Sequence, residues 1–473
     1  MGKNLDKQLA NFRDIVLDKI KSAKDISVVT HIDCDGLTSG AIITKALIRA
    51  GAKVTVRTAK EMNQNTIKNM QSDLRDFHIV TDLGGGFAKQ LDDSLDQQWF
   101  VLDHHEIPSE EHENDRVINA WKYDINGGTE ICAGGMAFLA AMVLDSKNSD
   151  LAPIAVVSAL GDRQDQGDKK SFIGKNLDIV EQAKSTGMLS VDMDLLLVGR
   201  ETRPLVDALA FTSQPFIEGL TWNRDASLAL FKSCGIELKD GGRWRTPSDL
   251  TDDEKRLLIE SITKFASSQN ATQIMDELIG HTYKFPAEEP RSFLRDAREF
   301  STMLNSCGRI GRSGVGIAVC MGDRNKMLQE GENILLEYRK LIRDYMNILS
   351  NERWRISDNP KWVMVNGEGV IPETMTGTIS SLLAGSPKNA GKIIILRTNG
   401  EENTVKFSSR KSVGCKTDVN LSSLMKSGAE KFNGIGGGHD AAAGAKITKD
   451  KLDGFLDYLE DSVNGNHSKN NNQ

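Results

Sequence analysis

The sequence predicts an α/β protein: an N-terminal doubly wound parallel sheet, a mainly helical middle region and a smaller C-terminal α/β domain. Three observations support this fold class. Apolar runs of strand length end in ionisable residues, helical segments separate these runs, and the sequence pattern changes twice further along the chain. Parallel strands buried on both faces have continuous apolar sequences, and helices connect them. The expected segments are the parallel-sheet domain at 1–200, a helical insert and connecting helix at 201–352, the smaller α/β domain at 353–462 and a disordered tail at 463–473.

The composition is that of a globular protein, since 26% of the 473 residues are charged and 39% are hydrophobic. Single cores rarely exceed about 250–300 residues, so this length favours several domains. No apolar run approaches the ~20 residues that span a bilayer, and the amphipathic start is unlike a targeting peptide. We therefore expect a cytoplasmic protein with no membrane partner. Because the net charge is −7, a site for a polyanion needs a local groove or bound cations.

The first predicted strand ends in residue types that bind metals. An apolar run from Val28 leads into His31, Asp33 and Asp35, and Gly36 then turns the chain into a helix. In open α/β sheets, ligands bind beyond the carboxyl ends of the strands. One His and two Asp at this position therefore indicate a metal site. The alternative is a solvated turn in which Asp35 caps the helix.

Later apolar runs also end in ionisable residues. They supply the remaining candidates, which are Asp82, Asp103, His104, His105 and Asp162. Carboxylates gathered at one sheet edge repel one another strongly unless cations lie between them. Oxygen and imidazole ligands without thiolates suit Mn²⁺ or Mg²⁺, and the number of ligands suits two ions. Two ions about 3.5–4 Å apart clamp a phosphate and activate water, so we expect hydrolysis of a phosphoester or phosphoanhydride.

His104 and His105 need separate roles, because consecutive residues leave a strand in opposite directions. One imidazole is expected to bind metal and the other to face the substrate phosphate. Arg163 either neutralises a substrate phosphate or pairs with a nearby acid. Cys34 alternates away from its neighbouring aspartates, so we expect it in the core. The six cysteines contain no C-x-x-C pair, which argues against a zinc ribbon.

The C-terminal domain contains a second group of candidates. These are Gly436, Gly437, Gly438, His439 and Arg410. The glycine run would let backbone N–H groups approach an anion closely, and residues 441–443 are expected to begin a helix whose N-terminus favours phosphate. Neighbouring lysines would complete a basic cradle with Arg410, namely Lys406, Lys411 and Lys416. The alternatives are an ordinary loop for the glycines and a solvated strand edge for the basic residues.

Together these motifs resemble those of the DHH phosphoesterase superfamily, and the similarity runs over most of the chain. The first motif corresponds to residues 31–36, and the later ones to Asp82, to 103–105 and to 161–162. Residues 407–410 and 436–444 resemble the DHHA1-type substrate-binding domain. The stretch 304–318 is similar to the linker of RecJ-type nucleases, particularly the archaeal RecJ-like branch.

The resemblance implies a set of ligands for two divalent ions, with Mn²⁺ preferred and Mg²⁺ as the alternative. The implied sets are His31, Asp33 and Asp82 for one metal, and Asp35, Asp82, His104 and Asp162 for the other. By the same resemblance, His105 would touch the scissile phosphate and Asp103 would orient an imidazole. Arg410 and His439 would hold a neighbouring phosphate of the strand.

The function implied by the resemblance is that of an exonuclease degrading single-stranded DNA or RNA from an end to mononucleotides, in DNA replication or repair. Archaeal relatives carry an extra domain at the position of the helical insert and associate with the GINS replication complex or a fork helicase-nuclease. These are the implied partners. The chain departs from bacterial RecJ proteins, which have Asp at the position of His31. The alternatives are a phosphodiesterase for short oligonucleotides or cyclic dinucleotides, and a non-catalytic replication scaffold.

Overall fold

The computed structural model describes residues 4–73, 75–266 and 271–464. The chain forms two compact units that divide between Leu335 and Leu336. The first unit includes the N-terminal domain and most of the middle region, and the boundaries expected at 200 and 352 stay predictions. None of the helices in the described part of the chain is long and apolar enough to cross a bilayer.

The first unit alternates helices and strands along most of its length. Its helices are α1 (Leu5–Lys21), α2 (Cys34–Arg49), α3 (Gln64–Ser72), α4 (Ala88–Leu95), α5 (Ala133–Leu144), α6 (Ala152–Gly161), α7 (Gly174–Ser185), α8 (Leu205–Phe211), α9 (Arg224–Ser233), α10 (Asp252–Phe265), α11 (Ala271–Leu278), α12 (Ala297–Arg309), α13 (Ser313–Met321) and α14 (Lys326–Asn351), of which α14 continues into the second unit. Its strands are β1 (Asp25–His31), β2 (Lys53–Ala59), β3 (Phe77–Thr81), β4 (Trp99–Asp103), β5 (Val117–Asn119), β6 (Ser190–Leu195), β7 (Lys239–Asp240), β8 (Arg243–Trp244) and β9 (Ile279–Lys284).

Strands β1 to β5 form a parallel sheet in the order β2-β1-β3-β4-β5. Alternate residues of these strands pack on opposite layers: Val28 contributes to the core shared with α1, α2 and α5, and Val29 to the core shared with α3 and α4. The predicted doubly wound sheet is therefore confirmed. The strand order reverses between β1 and β3, which opens a crevice at the carboxyl edge where ligands bind in such sheets.

The middle region has its own apolar core, built from residues of α8, α9, α10 and α11. It is mainly helical, as predicted, and also contains an antiparallel pairing of β6 with β9 that the sequence pattern did not indicate. Helices α12 and α13 belong to another layer, because their buried residues share a core with α2 and α6. Part of the segment expected to be an insert thus packs against helices of the N-terminal domain.

The second unit contains a mixed sheet in the order β10-β11-β12-β13-β15-β14. Its strands are β10 (Ile356–Asp358), β11 (Trp362–Asn366), β12 (Ile393–Asn399), β13 (Thr404–Lys411), β14 (Ile435–His439) and β15 (Ala442–Thr448), and its further helices are α15 (Thr376–Ala384), α16 (Leu421–Lys431) and α17 (Leu452–Asn464). The tail expected at 463–473 overlaps the end of α17, and residues 465–473 lie outside the described residues.

The helix expected to begin at 441–443 is wrong. Ala442 begins β15, which pairs antiparallel with β13 on one side and β14 on the other. Alanine favours helices in isolation, but tertiary packing overrides such propensities. Here Ala443 and Ala445 are buried in the core of the second unit, and the backbone of the segment is satisfied by two neighbouring strands.

Candidate metal centre

The turn after β1 places the first group of candidates. Asp33 precedes α2 and accepts a hydrogen bond from the Gly36 N–H at 3.0 Å, so Asp33, and not Asp35, caps the helix. Gly36 is required here, because a Cβ atom would lie 2.3 Å from the carbonyl oxygen of His31. The cap holds Asp33 with an oxygen 3.1 Å from His31 Nδ1. Burial opposes ionisation of Asp33, but the charge of His31 outweighs it and lowers the pKa of Asp33 well below its ordinary value.

Asp35 lies in the first turn of α2 and is 3% exposed. Its carboxylate accepts hydrogen bonds from the N–H groups of Ala133 and Gly134, at 2.9 and 2.8 Å, where α5 begins, and another from the Ser158 hydroxyl. Burial and the charge of Asp82 raise the pKa of Asp35 to about 8. The protein by itself therefore disfavours the ionised form, and a nearby cation would favour it.

Asp82 follows β3 directly and is 2% exposed. Its φ angle of 62° lies in the left-handed region, which is uncommon for a residue with a side chain. The two carboxylate oxygens face different imidazoles, with Oδ2 3.4 Å from His31 Nδ1 and Oδ1 3.4 Å from His104 Nε2. Asp82 thus lies between the residues of the β1 turn and those that follow β4.

The two consecutive histidines have opposite environments. His104 is buried, and its Nδ1 lies 2.6 Å from the carbonyl oxygen of Gly127, so Nδ1 is the donor and Nε2 faces Asp35 Oδ2 at 3.2 Å. This tautomer leaves the Nε2 lone pair for a metal. The His105 side chain is 58% exposed, and Asp103 Oδ1 holds its Nδ1 at 2.8 Å. Burial lowers the pKa of His105, but the charge of Asp103 outweighs it and raises the pKa to about 9.

The candidate ligands form compact groups in which the donor atoms all lie within 4.8 Å of one another. The first group contains His31, Asp33 and Asp82, and the second contains Asp35, His104 and Asp162. A third group contains Asp82, Asp103, His104 and His105. Within the described residues, the buried atoms Asp82 Oδ2 and His104 Nε2 have no hydrogen-bond partner. Leaving such atoms without a partner costs about 1–3 kcal/mol each. These donors fit divalent cations, and the assignment of individual ligands stays a prediction.

Models of three protein families match consecutive parts of the chain: the N-terminal domain of the DHH family at 25–161, the DHH-CID domain at 197–279 and the DHHA1 domain at 361–465. The chain belongs to the DHH superfamily. An uncharacterized protein of Methanocaldococcus jannaschii is 29% identical over 449 residues, which are 93% of each chain.

Solved structures share the fold of this DHH protein at low sequence identity. RecJ of Thermus thermophilus, in complex with Mn²⁺, has a TM-score of 0.60 and 15% identity, and the match covers 97% of this chain but 55% of that RecJ. CDC45 of Entamoeba histolytica has a TM-score of 0.64 and 12% identity, and the match covers 97% of this chain and 99% of that one. The same Thermus RecJ has also been solved with Mg²⁺. The predicted superfamily and its RecJ-like fold are therefore confirmed.

In the DHHA1 domain, Arg410 and His439 lie on strands either side of Ala442, which pairs with both. Side chains of residues in register on adjacent strands share a face, so these two candidates point to the same side of the sheet. Arg410 is oriented by its neighbours, since Nε donates to Ser381 Oγ at 3.2 Å and Nη1 to the Ser409 carbonyl at 2.8 Å.

The glycine run of the DHHA1 domain is a strand, β14, and its glycines differ in surroundings. A Cβ atom on Gly436 would lie 2.3 Å from the Met425 carbonyl oxygen. For a Cβ atom on Gly437, no heavy atom of the described residues lies within 4 Å, apart from the glycine itself and its two chain neighbours. Gly438 has a φ of 139° and lies against Ala442. Close packing explains two of the glycines, and Gly437 leaves open space beside its backbone. Lys411 of the expected cradle pairs with Asp440 at 2.8 Å.

Two residues that support the centre were not among the predicted site residues. Asn305 on α12 accepts a hydrogen bond at 3.1 Å from the N–H of Cys34, 271 positions earlier. Gly308 lets α12 come this close, since a Cβ atom there would lie 1.6 Å from the Ile32 carbonyl oxygen. The sequence indicated Asn305 only as part of the RecJ-like linker. The second residue is Gln164, which directly contacts Asp162.

Proposed function

We propose that this protein is a two-metal-dependent phosphodiesterase, a RecJ-like exonuclease that hydrolyses single-stranded DNA or RNA from an end to mononucleotides. One observation carries the proposal: the groups of carboxylate and imidazole ligands overlap at Asp82 and His104, whose buried atoms Oδ2 and Nε2 make no hydrogen bond within the described residues. The ions we propose are Mn²⁺, with Mg²⁺ as the alternative. A role in DNA replication or repair, with GINS or a fork helicase-nuclease as partner, is part of the same proposal.

In this proposal the donor groups hold one ion each. His31, Asp33 and Asp82 would hold the first, and Asp35, Asp82, His104 and Asp162 would hold the second. When bound, the ions supply Lewis acidity and a nucleophilic water at neutral pH. His105 is exposed and oriented by Asp103, and its raised pKa keeps it protonated at neutral pH, so it would donate a hydrogen bond to the scissile phosphate.

The catalytic test uses single strands of about 20 nucleotides, in DNA and in RNA, labelled at either end and incubated with Mn²⁺. We expect release of mononucleotides, and the label released first gives the polarity. Asp82→Asn should lower the rate by more than about 100-fold, the upper end for residues that only support a metal ligand. Asp76→Asn is the matched control, because Asp76 precedes β3 as Asp82 follows it, and Asp76 pairs with Lys24 at 3.1 Å. Undiminished turnover by Asp82→Asn, or no hydrolysis of any strand, would reject the proposal.

The competing functions predict different results in the same assay. A phosphodiesterase for short substrates should prefer dinucleotides or cyclic dinucleotides to strands of ten or more nucleotides. A scaffold should bind single strands without cleaving them. The scaffold alternative is favoured by the similarity of fold to CDC45, and the complete set of metal-binding residue types disfavours it.

Arg410 and His439 are the proposed contacts to a neighbouring phosphate of the strand. Arg410→Met removes a charge-assisted hydrogen bond of about 1.5–3 kcal/mol, so we expect KM to rise roughly 10- to 100-fold with little change in kcat. Lys449→Met, at an exposed position of the same unit, should leave both constants unchanged. A fall in kcat at constant KM would show instead that Arg410 acts on the transition state.

A further inference from the structure

Gln164 is a fully buried polar residue beside the second donor group. It follows Asp162 by two residues, in the turn after α6, and its exposed fraction is 0%. Its neighbours Arg163 and Gln166 are exposed. A buried amide needs partners for both of its ends, so the surroundings of Gln164 define what it can do.

The side-chain nitrogen of Gln164 is surrounded by acceptors. Nε2 lies 2.8 Å from Asp162 Oδ2, 2.7 Å from the Gly127 carbonyl oxygen and 3.2 Å from the Ile131 carbonyl oxygen. The amide oxygen accepts a hydrogen bond from Asn176 Nδ2 at 2.6 Å. The opposite orientation would bring an oxygen against three acceptors, so this network determines which way the amide points.

The same network reaches His104. The Gly127 carbonyl that accepts from Gln164 also accepts from His104 Nδ1, at 2.6 Å. The loop that carries Gly127 is close to the histidine backbone as well, because a Cβ on Gly127 would lie 1.8 Å from the His104 carbonyl oxygen. One amide group therefore contacts Asp162 directly and His104 through a shared carbonyl.

We propose that Gln164 is a positioning residue that orients Asp162 and His104 before metal binds, and so sets the affinity of the second ion without affecting the first. The network reaches Asp162 directly and His104 through Gly127. Among the described residues, the other hydrogen bonds of Gln164 are to Ile131 and Asn176, and so they do not involve His31 or Asp33 of the first group. The inference rests on the metal centre of the proposed function. It concerns the binding of ions, which is measured without any substrate.

The test titrates the full chain with Mn²⁺ and follows free Mn²⁺ by its electron paramagnetic resonance signal. The wild type should bind two ions. In Gln164→Leu, one site should weaken by about 10- to 100-fold, the usual cost of losing a partner of a metal ligand, and the other should stay within about twofold. Gln166→Leu is the matched control, because it makes the same change on the same turn at an exposed residue, and both sites should be unaltered.

A second variant identifies the site that weakens. Asp33→Asn removes a donor of the first group, so the double variant Asp33→Asn, Gln164→Leu should keep no tight site. If Gln164→Leu fails to fold, Asn176→Leu removes only the donor to the Gln164 oxygen and should weaken the same site by a smaller factor. If Gln164→Leu or Asn176→Leu lowers the unfolding temperature but leaves the Mn²⁺ isotherm unchanged, Gln164 has only a structural role and the inference is overturned.

The outcomes separate this inference from the proposed function. Wild-type protein that binds two Mn²⁺ ions but hydrolyses no strand contradicts the exonuclease and leaves the role of Gln164 intact. Equal Mn²⁺ affinities of the wild type and Gln164→Leu contradict the role of Gln164, whatever the activity.

Discussion

Two buried aspartates of the first unit, Asp35 and Asp194, have opposite electrostatic environments. Asp194 lies on β6 with Arg200 Nη2 at 2.6 Å and Lys255 Nζ at 3.1 Å. Burial opposes its ionisation, but the charge of Arg200 outweighs burial and lowers the pKa of Asp194. Asp35 lies beside Asp82, and burial together with that charge raises the pKa of Asp35 to about 8.

This contrast separates a structural carboxylate from a functional one. A buried ion pair within the chain satisfies its own charges, and breaking it leaves a charge without compensation. Asp35 and Asp82 lie against one another, and the charge of His104 compensates that of Asp35 only in part. A raised pKa of this kind is typical of functional sites. The charged network around Asp194 thus stabilises the middle region, whereas the sheet edge around Asp35 and Asp82 gathers acidic groups that the proposed cations would compensate.

The largest expected effect is the stabilisation of the sheet edge by Mn²⁺. At about 100 times its Kd, each bound ion should add about 2.7 kcal/mol to the free energy of unfolding. Asp82→Asn should lose most of this gain. Without Mn²⁺ the change in stability should be smaller, because the variant relieves the repulsion between Asp82 and Asp35 but loses the pairing of Asp82 with His31 and His104, and Asn tolerates the left-handed φ of 62°. Urea denaturation with and without Mn²⁺ measures both effects, and equal Mn²⁺ stabilisation of both proteins would refute the comparison.

The next largest effect is the loss of stability when Asp194, which pairs with Arg200, loses its charge. Asp194→Asn should lower the free energy of unfolding by about 3 kcal/mol, because Arg200 stays buried with less compensation. The Mn²⁺-induced stabilisation should be unchanged, in contrast to Asp82→Asn. Asp192→Asn on the same strand is the control, since Asp192 is 54% exposed and pairs with Lys284 at 3.3 Å, and it should change stability by less than about 0.5 kcal/mol. A Mn²⁺ response lost in Asp194→Asn would show that the two networks are not independent.

The smallest effect is a dependence of stability on pH in the middle region. The hydrogen bonds of Arg245 lower the pKa of Glu254 from its ordinary value of 4.5 to about 2. A depressed pKa stabilises the folded state above pH 4.5, and this stabilisation is lost as the pH falls towards 2. We expect the contribution to be about 1 kcal/mol after solvent screening. Glu254→Gln should flatten the stability profile between those pH values, whereas Asp253→Asn, in an exposed pair with Arg256, should leave the profile as it is.

The candidate site was predicted to the extent that its residues follow regular strands. Apolar runs end at His31, at Asp82 and at the 103–105 motif. The carboxyl ends of parallel strands meet at one edge of the sheet, whatever the conformation of the connecting loops. Asp162 directly follows α6, so this ligand comes from the end of a helix and not from the end of a strand. Gln164 and Asn305 could not be predicted in this way, because their roles depend on contacts with residues distant in sequence.

The sequence by itself determined the α/β class, the order of the strands that end in ionisable residues, and the set of side chains suited to binding divalent ions. These features follow from local apolar patterns and from side-chain chemistry. Only the tertiary structure decided that residues 442–448 form a strand, that Asp33 caps α2, and that Asp82 lies between two imidazoles. It also decided which buried acids have a cationic side chain beside them. The physical reason is that burial and charge compensation are properties of the packed neighbourhood, and residues far along the chain create that neighbourhood.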